Sequence, residues 1–285
     1  MRVLILGADG MLGHRLFLTF AKSYEVFGTL RSRRFANLLG ESGKIIHQVD
    51  AMDRNRIRSV IKEYTPDYVI NCIGIIKQKD LAKDSILSLE INALLPHYLA
   101  LYCDEVGAKL IHFSTDCVFN GSRGNYKVDD PSDCNDLYGK SKYLGEVNAS
   151  HALTIRTSII GRELKGKQSL VEWFLSQHGQ VYGYTKAIYS GLPTATMAKI
   201  LEKYVFTAPE ISGVYQVASN PISKFDLLGL IAKEFNCDIS IVPSSSVSID
   251  RSLDGRLFSQ KTGFQAPAWE VLVKDLTIDN DLYNQ

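Results

Sequence analysis

In the first half of the chain, short apolar runs alternate with stretches whose apolar positions recur at helical spacing. "RVLILG" (2–7) is apolar almost throughout, and "MLGHRLFLTFAK" (11–22) then repeats with helical period. "EVFGTL" (25–30) and "KIIHQVD" (44–50) read as strands ahead of the helical "DRNRIRSVIKEY" (53–64). "DYVINCIGI" (67–75) precedes a long helical stretch over roughly 84–106. "AKLIHFST" (108–115) then leads through an irregular loop to a helix carrying Tyr138, and "ALTIRTS" (152–158) follows as one more strand. Apolar strands bounded by turns and separated by amphipathic helices predict βαβ units, hence a parallel sheet covered on both faces. Right-handed crossovers make that sheet doubly wound.

Beyond residue 158 the rhythm loosens. "SLVEWFLSQ" (169–177), "TATMAKILEKYVF" (194–206) and "PAWEVLVKDL" (267–276) read as helices, and "GVYQVA" (213–218) and "ISIVP" (239–243) as strands. Ser223 has the character of an N-cap for "KFDLLGLIAKEF" (224–235). The expected organisation is α/β: a doubly wound domain over 1–158, with 190–220 returning to it, and a smaller C-terminal α/β lobe made of 159–189 and 221–285.

Composition narrows the chemistry by exclusion. The 285 residues carry 32 basic and 31 acidic side chains, a net charge of +1, so no global field recruits nucleic acid or a membrane surface. No apolar run approaches the ~20 residues that span a bilayer, and the amino terminus enters a strand without a leader pattern. The five cysteines are scattered without a CxxC pair, and the six histidines show no metal-ligand spacing. A cytoplasmic, reducing location and a metal-free site are expected.

One loop changes the picture. "GADGMLG" sets Gly7, Gly10 and Gly13 between the first strand and the first helix, with Asp9, Met11 and Leu12 in the same turn. A dinucleotide requires such an arrangement: a tight turn, a close backbone approach to the pyrophosphate, and a helix N-terminus to hold its charge. The spacing is GxxGxxG rather than GxGxxG. An NAD site usually has an acid after the second strand, to accept from the ribose 2′-hydroxyl. This chain instead has "TLRSRR", and Arg31, Arg33 and Arg34 suit a 2′-phosphate unless they form a solvated basic turn. NADP(H) is therefore expected, with NAD(H) as the alternative. Asp50, with Ala51 beside it, is placed either to accept from the adenine amino group or to cap the next helix.

Tyr138 and Lys142 lie four residues apart in "YGKSK", hence on one helix face. Spacing alone does not separate a catalytic pair from a solvated face. With GxxGxxG at 7–13, "NCIG" at 71–74, Thr115, and YxxxK at 138–142, the chain resembles an extended short-chain dehydrogenase/reductase over nearly its whole length. "STDCVFNG", "YGKSKYLGE" and "IRTSIIG" narrow the resemblance to the dTDP-4-dehydrorhamnose reductase branch of nucleotide-sugar 4-ketoreductases. The resemblance implies a Rossmann domain, Tyr138 as proton donor, Lys142 holding the nicotinamide ribose, and Thr115 polarising the substrate oxygen. A nearby ammonium is also expected to pull the phenol pKa towards neutrality.

Asn92 would support a water-linked proton relay to the lysine, or else satisfy backbone freed by Pro96. Asn71, Cys72, Ile73 and Gly74 would form the wall beneath the nicotinamide, with Thr157 and Ser158 lining its far side. Asp116 would contact the sugar, or act as a turn residue.

By the same resemblance the C-terminal lobe holds the nucleotide diphosphate of an activated sugar. "GLPT" (191–194) would open a helix on the cleft, and Arg251 in "DRSLDG" is the candidate diphosphate ligand unless simply solvated. Trp173 and Tyr184 could stack on a base or sugar, or belong to the core. Cys117 stands where many relatives have tyrosine. The expected activity is reduction of a nucleotide-linked 4-keto-6-deoxysugar for polysaccharide or deoxysugar synthesis, with a homodimer as the candidate assembly. Competing readings are a nucleotide-sugar epimerase or other UDP-hexulose reductase, a 4,6-dehydratase, and a non-enzymatic subunit resembling the β subunit of methionine adenosyltransferase.

Overall fold

The structure is a computed structural model that describes residues 1–32, 39, 44–76, 84–164, 166 and 168–283. Its main sheet contains β1 (Arg2–Leu6), β2 (Glu25–Thr29), β3 (Lys44–Ile46), β4 (Tyr68–Asn71), β5 (Lys109–Phe113), β6 (Ala152–Arg156) and β10 (Gly213–Gln216). The strand order is β3-β2-β1-β4-β5-β6-β10, with every neighbouring pair parallel. The order reverses between β1 and β4, which opens a crevice at the carboxyl ends of those strands. Among the described residues, three shorter strands lie outside the main sheet, β7 (Ile159–Ile160), β9 (Leu192–Pro193) and β11 (Ile222–Ser223). Two long ones, β8 (Gly179–Tyr189) and β12 (Ile239–Asp250), form a second sheet with β11 in the order β11-β8-β12, while β7 pairs with β9.

Among the described residues, ten α-helical segments surround these strands: α1 (Met11–Phe20), α2 (Arg54–Tyr64), α3 (Ser85–Ser88), α4 (Leu95–Asp104), α5 (Leu137–Leu144), α6 (Leu170–Leu175), α7 (Thr194–Ile200), α8 (Lys224–Glu234), α9 (Arg256–Thr262) and α10 (Trp269–Leu272). The period-two alternation of β1 divides its side chains between two faces. Val3 and Ile5 pack with Leu16, Phe17 and Phe20 of α1 and Met197 of α7. Leu4 and Leu6 pack with Ile57, Val60 and Ile61 of α2 and Leu95 and Leu99 of α4. Both faces are covered, which is why the strands read as continuous apolar runs.

α3 and α4 are joined by a π-helical segment, Leu89–Leu94, just ahead of Pro96. Proline donates no backbone hydrogen bond, and one wide turn accommodates that loss. The resulting Ser85–Asp104 helix is long and apolar enough to cross a membrane by length and composition, with mean hydropathy 1.3, contrary to the sequence expectation. Leu95, Pro96, Leu99, Ala100 and Cys103 are buried in it, α4 rests on β5, and it serves as a core helix. Ser223 caps α8 as expected, its hydroxyl accepting from Asp226 N.

Candidate active site

Two of the three loop glycines stand where a side chain would be strained or blocked. Gly7 has φ +79°. A Cβ on Gly13 would lie 2.1 Å from the Gly7 carbonyl oxygen, so α1 can leave the strand only with glycine there. Gly7 N donates to Thr29 Oγ1 at 3.1 Å and Gly10 N to Gly7 O at 3.1 Å, which fixes the turn. Gly10 is the N-cap of α1 and supplies no side-chain cap, so the helix opens on backbone N–H groups. Asp9, Met11 and Leu12 belong to this turn, with Leu12 buried in the core. These features fit a dinucleotide pyrophosphate.

Arg31 is exposed just past the end of β2, while Arg33 and Arg34 lie outside the described residues. Asp50 and the half-buried Ala51 follow β3. Asp50 Oδ1 accepts from Met52 N at 2.9 Å, whereas Asp53 caps α2 by accepting from Arg56 N at 2.9 Å. The capping role considered for Asp50 thus belongs to Asp53. Beyond β4, Asn71 accepts from Ile73 N at 3.1 Å and donates to His112 Nδ1 at 3.1 Å, holding the Cys72–Ile73–Gly74 turn against the sheet. A Cβ on Gly7 would lie 3.1 Å from Ile73 Cγ1, so this wall and the glycine loop are in contact.

α5 carries the pair from "YGKSK". Asp136 caps it, accepting from Gly139 N at 2.8 Å, and Thr115 caps the 3-10 turn Asp116–Val118 after β5. Tyr138 lies beside the Thr115 hydroxyl, which donates to Asp116 Oδ1 at 3.1 Å and accepts from Cys117 N at 3.2 Å. Burial pushes the Tyr138 phenol well above its ordinary pKa, and the neighbouring Cys117 and Asp116 push the same way, opposed by the Thr115 hydroxyl. The expected shift towards neutrality is therefore reversed. Lys142 Nζ donates to the Phe113 carbonyl at 2.6 Å, and burial lowers its pKa to about 8 against the counter-pull of Glu146.

Asn92 sits in the π segment. Its amide donates to Ile75 O at 3.0 Å and Ser141 Oγ at 3.2 Å, while its Oδ1 accepts from Ile75 N at 2.9 Å. The side chain thus ties the loop after β4 to α5, and the backbone it satisfies is that of Ile75 rather than the turn freed by Pro96. A Cβ on Gly145 would lie 1.9 Å from Asn92 O, so glycine at the end of α5 permits this close approach. Sequence reasoning missed Ser141 and His112; Ser141 lies inside the quoted motif, but only the packing shows its partner.

On the far side, Thr157 is buried and Ser158 half-buried after β6. Burial raises the Asp116 carboxyl pKa, partly offset by a hydrogen bond from Cys117 and by the nearby Arg251 and Lys224 cations. Arg251 Nε donates to Phe119 O at 2.8 Å, so it is fixed beside the Thr115 turn rather than freely solvated. "GLPT" ends at Thr194, the first residue of α7. Trp173 is 37% exposed on α6 and Tyr184 half-buried on β8, so neither is in the buried core.

A family model described as the RmlD substrate binding domain matches residues 1–279. The spore coat polysaccharide biosynthesis protein SpsK of Bacillus subtilis is 28% identical over 251 residues, covering 85% of this chain and 82% of that protein. A dTDP-4-dehydrorhamnose reductase of Streptomyces griseus is 34% identical over 148 residues, covering 51% of this chain and 43% of its own length. A methionine adenosyltransferase 2 subunit beta of Xenopus laevis is 25% identical over 252 residues, covering 82% and 72%. Among solved structures, a dTDP-4-dehydrorhamnose reductase from Bacillus anthracis in complex with NADP superimposes with TM-score 0.80 at 23% identity, covering 98% of this chain and 99% of that one. The doubly wound sheet, the glycine loop and the match over 1–279 together place this chain in the RmlD substrate-binding-domain family.

Proposed function

We propose that this chain is an NADP(H)-dependent oxidoreductase that reduces the C4 ketone of a nucleotide-activated 4-keto-6-deoxysugar, dTDP-4-dehydrorhamnose-like, to the 4-hydroxy sugar. The observation that carries this is Tyr138 beside Thr115 with buried Lys142 on the same helix, at the carboxyl ends of the parallel strands where the glycine loop also lies. Gly7, Asp9, Gly10, Met11, Leu12 and Gly13 would hold the pyrophosphate, and Arg31, with Arg33 and Arg34, the 2′-phosphate. Asp50 and Ala51 would meet the adenine, and Cys72, Ile73 and Gly74 the nicotinamide end. When bound, the reduced nicotinamide supplies the hydride that the ketone carbon accepts.

The chain's own residues do the rest. Tyr138, kept protonated by burial, donates its proton to the ketone oxygen as the alcohol forms. Thr115 donates a hydrogen bond to that oxygen. Lys142 holds the ribose hydroxyls and stabilises the phenolate left behind. Asn92 positions α5 through Ser141. Asp116 and Ser158 contact the sugar, and Arg251 the diphosphate. Residues 1–158 with 190–220 form the dinucleotide domain, and 159–189 with 221–285 the substrate lobe. A cytoplasmic homodimer completes the proposal, to be checked by cell fractionation and sedimentation.

The test is NADPH oxidation on a panel of dTDP-, UDP- and GDP-linked 4-keto-6-deoxysugars, with product stereochemistry read by NMR. Turnover of a nucleotide sugar, and none of the free sugar, is expected. The matches to methionine adenosyltransferase β subunits carry the second reading. No turnover on any member, with recovery of a stoichiometric partner enzyme, would favour it.

A further inference from the structure

The carboxyl-terminal segment reaches back to the opening of α1. His14, fully buried on that helix, approaches the Gly10 carbonyl through Nδ1 at 2.8 Å and the Tyr283 hydroxyl through Nε2 at 2.7 Å. A carbonyl only accepts, so Nδ1 carries the proton and Nε2 is left to accept from Tyr283. Arg15 Nη2 donates to the same Tyr283 oxygen at 2.7 Å and to Ile278 O at 2.9 Å, while Nη1 pairs with Asp279 at 2.6 Å. Arg15 is only 4% exposed. The Tyr283 ring meets His14 edge-on, with centroids 5.7 Å apart, and lies 4.6 Å from the Arg162 guanidinium carbon. Both nitrogens of the His14 ring are engaged, and the Tyr283 hydroxyl both donates, to His14, and accepts, from Arg15. Asp279 adopts φ +55°, a left-handed conformation that the Arg15 pairing helps to hold.

Gly10 is the residue on which α1 opens, and its carbonyl accepts from both His14 N at 3.0 Å and the His14 ring. The C-terminal turn therefore grips the peptide unit that sets the direction of the first helical N–H groups. We propose that residues 278–283 form a strap across α1, and that Tyr283 is a positioning residue for the dinucleotide, acting through His14 on the Gly10 peptide. The strap rests on the reading of the glycine loop as the cofactor cradle. It acts before any chemistry, so it governs how tightly the dinucleotide is held rather than how fast the ketone is reduced.

Tyr283→Phe removes one hydroxyl, keeps the ring, and leaves His14 Nε2 buried without a donor. Loss of that partner should weaken NADPH binding roughly tenfold, measured by fluorescence titration. It should raise KM for NADPH while kcat at saturating cofactor and KM for the nucleotide sugar stay at parental values. Hydrogen exchange in the cofactor-free protein should quicken at the Gly10 and His14 amides. Asp279→Asn, which keeps the shape and removes the charge, should move the same three readouts in the same direction by less. Unchanged exchange at these amides in both variants would overturn the strap. Faster exchange with unchanged NADPH affinity would overturn the positioning role. Failure of the parent protein to bind NADPH would instead remove the cofactor reading, and the positioning role with it, while the exchange rates still decide whether the strap exists.

Discussion

As the proposed proton donor, Tyr138 has two requirements that pull apart. It must keep its proton until a ketone is in place, and then give it up within one encounter. Burial, with Cys117 and Asp116 beside it, meets the first by raising the phenol pKa. Lys142, whose Nζ is held at the Phe113 carbonyl and whose pKa lies at about 8, supplies the positive charge for the second. Tyr138→Phe keeps the ring and removes the hydroxyl that carries the proton, so kcat should fall by roughly 10²–10⁴ while NADPH affinity changes little. Rapid-mix turnover and cofactor titration measure the two quantities, and a parental kcat would reduce the pair to a helix face. Tyr138 and Lys142 were legible as a same-face pair from their spacing, whereas Thr115 entered as a candidate through the family resemblance. The direction of the phenol shift was not legible, because it depends on burial of the phenol and on Cys117 and Asp116 beside it, and sequence spacing carries neither.

Elements show the same divide between local and distant causes. α1 and α2 are announced by their own periodicity, at 11–22 and 53–64 in the sequence against Met11–Phe20 and Arg54–Tyr64 in the structure. The π segment follows from Pro96, yet its consequence, Asn92 reaching Ile75 and Ser141, requires the helix to lie against α5. β8 was not expected at all, and β12 runs on to Asp250, well beyond "ISIVP". The continuation "SSSVSID" opens on three serines and is mostly exposed, so only Val247 and Ile249 hint at a strand, and its pairing with β8 resumes at Ser248 after an irregularity. Pro243 is tolerated inside β12 because that strand is at the edge of its sheet. Gly13 is the sharpest test at this scale. In Gly13→Ala the new methyl meets backbone rather than a movable side chain, at 2.1 Å from Gly7 O. Either α1 or the loop must shift, at a cost of about 1–3 kcal/mol. The thermal midpoint should drop by several degrees, and NADPH binding should weaken at least tenfold. Retention of both parental values would mean that the loop yields easily and that its shape does not set cofactor affinity.

At the scale of the whole molecule, the two ends of the chain meet at one titratable ring. Burial lowers the His14 pKa from 6.5 to about 4, with Arg15 adding to the shift and the Gly10 carbonyl and Asp9 opposing it. The folded protein therefore holds His14 neutral, which lets Nε2 accept from Tyr283. Unfolded chains bind a proton there near pH 6.5, so the unfolded state carries more protons throughout the window from 6.5 down to about 4. The contribution is fully present above pH 6.5 and fades as the pH falls through that window, by a total of about 3 kcal/mol if the full shift is realised. His112, whose pKa burial also lowers, acts in the same direction, and carboxylates in ion pairs add their own acid dependence. The His14 share is isolated by comparison: urea unfolding of the parent and of His14→Asn at a series of pH values between 7 and 4. The variant should be less stable at pH 7, and its stability should decline less steeply towards pH 4, so that the two curves converge. Parallel curves across the window would mean that His14 does not titrate on unfolding, and that the junction between the C-terminal segment and α1 is insensitive to acid.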